Sequence, residues 1–265
     1  TQNSAKEFAD MVNAFHEAGL ECMMEFYFGK HTALTKMLDV LRYWKITYHI
    51  DGFHIMGEGI SQELFMKDPL LADCKLFFHD IDGSCVFHGK VPKFKNAAEY
   101  NEGFLYSMRH VLKGDENMTE EFMFRQKRNP LCNGVINYMA DQDGFTVMDM
   151  VSYEERHNEA NGEGNQDGIS YNCSWNCGAE GSTRKTSIKE LRLKQMKNAF
   201  SLLLFSQGTP LIFQGDEWGN TQKGNNNVWC QDNELSWIDW NGRKNQEKLW
   251  EFVKRAIQIR KENPI

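Results

Sequence analysis

The sequence has no apolar run near the roughly 20 residues that a transmembrane helix requires. It also lacks an excess of positive charge. At a net charge of −7 and a pI near 5.7, phosphate backbones and anionic membranes are poor partners, and a neutral ligand suits the chain better. A disulfide framework is missing too: the seven cysteines are odd in number and scattered, which reads as reduced, cytosolic thiols. Cys173 and Cys177 lie close together, but no second pair stands at zinc-site spacing, so they read as loop thiols. Internal repeats and a domain linker are absent, and the N-terminus has no signal peptide. Because the chain reads as beginning inside a domain, a cytoplasmic location is expected without excluding export.

What is present is an ordinary globular composition, 41% hydrophobic and 25% charged over 265 residues, about the length of one α/β barrel. Phe8, Met11, Val12 and Phe15 form a helical stripe that Gly19 closes. Buried strands are expected at 20–28, 49–56, 74–81, 134–140 and 210–215, with a weaker one near 94–99. Helices are expected around 34–44, 101–113, 187–206 and 245–262, the last stopping before Pro264. The strands are continuously apolar, as strands covered on both faces must be, and they alternate with helices. About six strand–helix units result, where a closed barrel has eight. The polar loop 152–186, rich in Asn and Gly, is too long for an ordinary connection and is either functional or disordered, and a second long loop spans 214–240.

Those loops carry long, specific motifs. "HNEANGEGNQDG" (157–168), "YNCSWNCGAEG" (171–181) and "LLLFSQGTPLIFQGDEWGNTQKGNNNVWCQDNELSWIDW" (202–240), with "LRYWKITYHIDGF" (41–53) and "INYMADQDGFT" (136–146), closely resemble the isoamylase and glycogen-debranching branch of the α-amylase superfamily. The resemblance implies a (β/α)8 TIM-type barrel, with residues 1–265 forming one partial domain from about the third strand to the eighth helix. The first two strands, any carbohydrate-binding N-terminal domain and the C-terminal β-domain are then not in this sequence. It also places both long loops at the C-terminal face, with Met56, His79 and Asp143 converging at one mouth.

Such enzymes hydrolyse α-1,6 branch linkages with retention, which needs a carboxylate nucleophile and a carboxylic acid about 5 Å apart. The fourth-strand signature G-F-R-x-D reads Gly52-Phe53-His54-Ile55-Met56 here, so Met56 replaces the nucleophile and His54 the arginine that orients it. Lys75-Leu76-Phe77-Phe78 leads to His79 where the acid/base glutamate is expected. A-H-D-G reads Asp141-Gln142-Asp143-Gly144: Asp143 matches the transition-state-stabilising aspartate, and Gln142 replaces the sugar-binding histidine. D-V-V-x-N-H reads Glu25-Phe26-Tyr27-Phe28-Gly29-Lys30, with Asp, Asn and His all changed. The substantial excursion the family carries after this strand is reduced to a short passage through Gly29-Lys30-His31-Thr32.

One of three catalytic carboxylates survives, so the resemblance implies a barrel released from glycoside hydrolysis, binding α-glucan weakly or joining an active debranching subunit. The alternative is a hydrolase whose chemistry has moved to Glu58, Asp80 or Asp82, with strand alternation arguing against Asp80, or a metal-assisted activity at His54, His79 and Asp143. Imidazoles filling vacated space are the simpler account of the two histidines, and no metal or cofactor is expected. Asp143 either binds a sugar hydroxyl or holds the turn it sits in. For sugar recognition the candidates are Asn158, Glu159, Asn161, Trp218, Asn225, Asn226, Asn227, Trp229, Gln231 and Asp232, with Trp175 as a further aromatic face. Indoles and amides together suit carbohydrate. The competing role for these residues, and for Asp216 and Glu217, is bracing of the loop, and a mixture dominated by bracing is expected.

Overall fold

The computed structural model describes residues 3–264, and its backbone contacts divide the chain into two compact units. The first comprises the chain through Asn101 together with Asn129–Ile136. Its order is α1 (Ser4–Glu17), β1 (Met23–Phe28), α2 (Leu34–Tyr48), β2 (Gly52–Gly57), α3 (Gln62–Met66), β3 (Lys75–Phe78), α4 (Gly83–Val86) and β4 (Ala97–Asn101). The start of β5 (Gly134–Tyr138) completes it. β1, β2, β3 and β4 pair in parallel in chain order, and β5 follows β4.

The residues explain these elements. Asn3 caps α1 by accepting from the Lys6 amide at 3.1 Å. Gly19, at φ +75°, ends it with its amide on the His16 carbonyl, while Leu20 bonds back to Phe15. Within β2, Phe53 and Ile55 point into the core, so alternation sends Gly52, His54 and Met56 to the opposite face. That core is closed by aromatic packing of Phe26 against Phe53 at 6.0 Å and of Phe8 against Trp44 at 5.5 Å.

The second unit comprises Glu102–Arg128 and the chain from Asn137 onward. It holds α5 (Glu102–Lys113), α6 (Thr119–Lys127), the end of β5, α7 (Val147–Met150), α8 (Thr186–Leu204), β6 (Thr209–Leu211), α9 (Gly242–Asn245) and α10 (Glu247–Glu262), with β6 beside β5. Among the described residues no helix is long and apolar enough to cross a membrane. All seven cysteines are free, and burial pushes the Cys177 thiol up to about 11, which keeps it a neutral space-filler.

Some boundaries differ from the sequence reading. β4 lies at Ala97–Asn101, not 94–99, because Phe94 is exposed and the buried residues begin at Asn96. β6 stops at Leu211, because Gly215 at φ +85° turns the chain into the single helical turn Asp216–Trp218. α6 was not expected, since none of its residues is buried and it therefore has no apolar stripe to read.

Much of this unit is irregular backbone, and arginines satisfy it. The buried Arg109 guanidinium donates to the carbonyls of Met139, Asn172 and Phe145 at 2.6–3.1 Å. Two buried carboxylates tie α7 to the loop beyond β6. Asp216 accepts from the Val147 amide at 2.9 Å. Asp149 accepts from the Gln222 amide at 2.8 Å and from the Thr221 hydroxyl.

Burial raises Asp149 from 3.8 to about 6 and pushes Asp216 well up as well. Below the unfolded value Asp149 is protonated in both states and carries no penalty. As pH rises from the unfolded value to about 6, the unfolded chain ionises while the buried carboxyl stays protonated, so stability falls across that window by about 3 kcal/mol and levels off above it. Chemical denaturation of the protein and of Asp149→Asn should therefore show wild type losing about that much relative to the variant between pH 4 and 6.5. A pH-independent difference would show that Asp149 titrates normally.

Candidate functional site

His49-Ile50-Asp51-Gly52-Phe53-His54-Ile55-Met56-Gly57 runs from the end of α2 to the tip of β2. His49 is the left-handed cap of the helix at φ 57°. Asp51 is structural: its carboxylate accepts from the Cys22 amide at 2.7 Å and bonds His16 Nε2 at 2.8 Å, joining α1, β1 and β2. The last registered pair of β2 and β3 is Ile55 with Phe78. Met56 and His79 are the residues that follow, so they stand at adjacent strand ends. Neighbouring strands lie about 4.8 Å apart, and the side chains at these two ends are a thioether and an exposed imidazole.

Between β1 and β2, His54 is in register with Glu25, and its Nδ1 lies 2.8 Å from Glu25 Oε2. Its ring stacks on Tyr100 with centroids 4.4 Å apart. His54 Nε2 is buried and has no hydrogen-bond partner among the described residues. This glutamate–histidine–tyrosine arrangement was missed by the sequence reading, because pairing across strands and stacking depend on register.

The carboxylates near these positions have other occupations. Asp82 caps α4, accepting from the Ser84 amide at 2.9 Å and from the Cys85 thiol at 3.0 Å. These bonds hold its pKa down to about 2, so at neutral pH it has no proton to give as a general acid. Strand alternation does not separate Asp80 from His79. β3 ends at Phe78, and Asp80 Oδ2 lies 3.2 Å from His79 Nδ1, so the bend brings the two side chains together. Glu58 is exposed, its amide donating to the Phe28 carbonyl. Among the described residues no group of three or more histidines, cysteines and carboxylates is placed to hold a metal ion.

In the second unit Asp143 is exposed, and its amide donates to Asp141 Oδ1 at 3.1 Å. The Asp141 side chain and the Gly144 amide on the Asn226 carbonyl at 3.0 Å both help to close this turn.

The asparagines of the two long loops meet one another. Asn158 and Asn226 are buried and joined reciprocally: Asn158 Nδ2 donates to Asn226 Oδ1 at 2.8 Å, and the Asn226 amide donates to Asn158 Oδ1 at 3.0 Å. Asn226 Nδ2 also reaches Ile169 O and Asn172 Oδ1. Asn161 pairs with Asn225 at 2.9 Å, and both Asn161 and Asn227 donate to Asp167 Oδ2. Gln231 donates to Asn161 Oδ1 and Ala160 O. Asp232 accepts from Trp237 Nε1 at 3.0 Å. Glu159 begins a short helical turn and is exposed, as is Trp229 at 85%, whereas Trp218 is buried.

Removing one member of this net strands several buried polar groups. Asn226→Ala should lower unfolding stability by about 2–3 kcal/mol, read as a shift in the denaturant midpoint. A loss below about 0.5 kcal/mol would show that the net does not brace the loops.

No protein-family model matches the chain. A glycogen operon protein GlgX homolog of Haemophilus influenzae is 31% identical, with the match covering 99% of this chain and 50% of that protein. The Mycobacterium bovis homolog is 34% identical over 89% of this chain and 35% of the relative. The chloroplastic isoamylase 3 of Oryza sativa subsp. japonica is 36% identical over 86% and 32%. The chain thus spans a third to a half of the length of these curated relatives.

Two pullulanases share its fold. The type I pullulanase of Bacillus subtilis, solved with maltose, gives a TM-score of 0.65 at 17% identity over 97% of this chain and 42% of that one. That of Paenibacillus barengoltzii, solved as a D470A mutant with maltotetraose, gives 0.67 at 15% identity over 97% and 47%. The architecture is that of their (β/α)8 catalytic barrels, and this chain covers part of it. With its barrel strands and loop motifs, the chain belongs to the isoamylase and glycogen-debranching branch of the α-amylase superfamily.

Proposed function

We propose that this barrel no longer hydrolyses glycosidic bonds and serves instead to bind α-glucan or to accompany an active debranching subunit. The observation that carries this reading is the pair of strand ends of β2 and β3. By their match to the family signatures, Met56 and His79 fall where a retaining mechanism needs a nucleophilic carboxylate and a carboxylic acid, and they stand at neighbouring strand ends. A thioether forms no glycosyl ester, and Asp143 alone stabilises charge without supplying either half of the double displacement. The cap role of Asp82 supports the same reading. The rival is a hydrolase with relocated carboxylates, and the contact of Asp80 with His79 is the observation in its favour.

The substrate class follows from the relatives, named for glycogen debranching and isoamylase action, and from the structural neighbours solved with maltose and maltotetraose. A site relieved of catalysis, with its loop amides spent on one another, would bind glucan at about millimolar affinity, roughly −4 kcal/mol. The seven free thiols suit a reducing, cytosolic setting.

Reducing-end release from glycogen, amylopectin and pullulan should stay at background. A turnover of about 1–1000 per second, ordinary for an enzyme, would overturn the reading. The double variant Met56→Asp with His79→Glu should remain inactive in the same assay, because His54, Gln142 and Glu25 still stand where substrate-positioning groups are required. Activity in that variant would show that positioning is intact and only the two reacting groups are missing.

A further inference from the structure

The asparagine net spends its hydrogen-bonding capacity internally, so the loop beyond β6 offers its unspent polar groups elsewhere. They gather in an open groove of about 580 Å³, within the second unit, between Trp218 and Trp237. Its size falls in the range of small-molecule sites. Asn220, Lys223, Glu234 and Gln246 line it, and none of these side chains makes a hydrogen bond or ion pair with another described residue. This contrasts with Asn225 and Asn226, a few residues from Lys223 in the chain, and with their partner Asn158, all of which are buried and engaged.

The two indoles differ in role. Trp237 is 59% exposed, and its Nε1 is pinned on Asp232 at 3.0 Å, which orients a flat apolar face without burying it. Trp218 is buried, and its Nε1 has no partner among the described residues although it is shielded from solvent. The five-membered edge of its ring lies against Gly242, where an added Cβ would meet Trp218 Cδ1 at 3.5 Å and the Asp239 carboxylate at 3.4 Å, both of them groove-lining residues.

A ligand for this surface needs apolar faces to lie on indoles and many hydroxyls for amide, ammonium and carboxylate groups. A neutral oligosaccharide has both. With Lys223 against Glu234 and Asp239, the groove offers no net positive charge to favour a phosphate or other anion. We propose that the Trp218–Trp237 groove is a binding site for a maltooligosaccharide segment, and that the asparagine net of the same loop serves to hold that loop in place. This deepens the glucan-binding reading above and rests on it.

Calorimetric titration of the intact chain with maltoheptaose tests both. Saturable binding is expected, weakened about tenfold or more by Trp237→Ala and severalfold by Glu234→Ala. Both side chains are exposed, so unchanged thermal unfolding will show that the variants fold. Wild-type affinity in both variants, or loss of binding in Trp229→Ala with retention in Trp237→Ala, would overturn the groove while leaving glucan binding standing. No saturable heat with the wild type would overturn glucan binding itself.

Discussion

The second unit depends on one constraint: long stretches of irregular backbone are taken out of water, and each buried carbonyl and amide needs a partner. Arg109 meets it at the end of β5 by bridging Met139, Phe145 and Asn172. Arg192 does the same for Gly181, Ser152, Asn176 and Ala179, and Arg260 for Leu204, Ser206 and Gly208. A guanidinium suits this task because its five donors lie in one rigid plane, so one side chain serves several strands of loop. None of these contacts involves a carboxylate, and burial accordingly lowers the pKa of Arg109 and Arg192. The first unit has little need of such devices, since parallel ladders satisfy its backbone.

Strand register sets the ends of β2 and β3 side by side whatever side chains they carry. At Met56 and His79 the frame carries no carboxylate. One step lower, an orienting arginine would carry a fixed charge, whereas His54 is a smaller ring flanked by Glu25 and Tyr100. The arrangement fills and satisfies space, with one imidazole nitrogen left unpartnered.

Hydrogen-bond bookkeeping separates two kinds of polar residue that look alike in a loop rich in asparagine and tryptophan. Asn158, Asn225 and Asn226 are inward-facing and mutually satisfied, so their contribution is to loop order. Asn220, Glu234 and Gln246 are drawn from the same loop and the start of α10, yet they leave their donors and acceptors turned to a groove. Only the second group has capacity to spare for a ligand.

Strand–helix alternation, the helices at 4–17, 34–48, 102–113, 186–204 and 247–262, and the family itself were legible in the sequence, because apolar periodicity and loop motifs are local. That Met56 and His79 stand at the ends of neighbouring strands was legible as well, since strand limits follow the apolar runs. α6 was not legible, having no buried face to generate a pattern. The turn at Asp80 was misjudged because alternation holds only while the strand lasts, and β3 stops at Phe78. Sequence also left open whether the loop amides brace or bind. That was decided by which donors meet which acceptors across 50 to 70 residues of chain, as in Asn158 with Asn226 and Asn161 with Asn225. Such pairings are fixed only when the loops fold against each other, because the partner of a polar side chain is a matter of distance in space, and no local pattern encodes it.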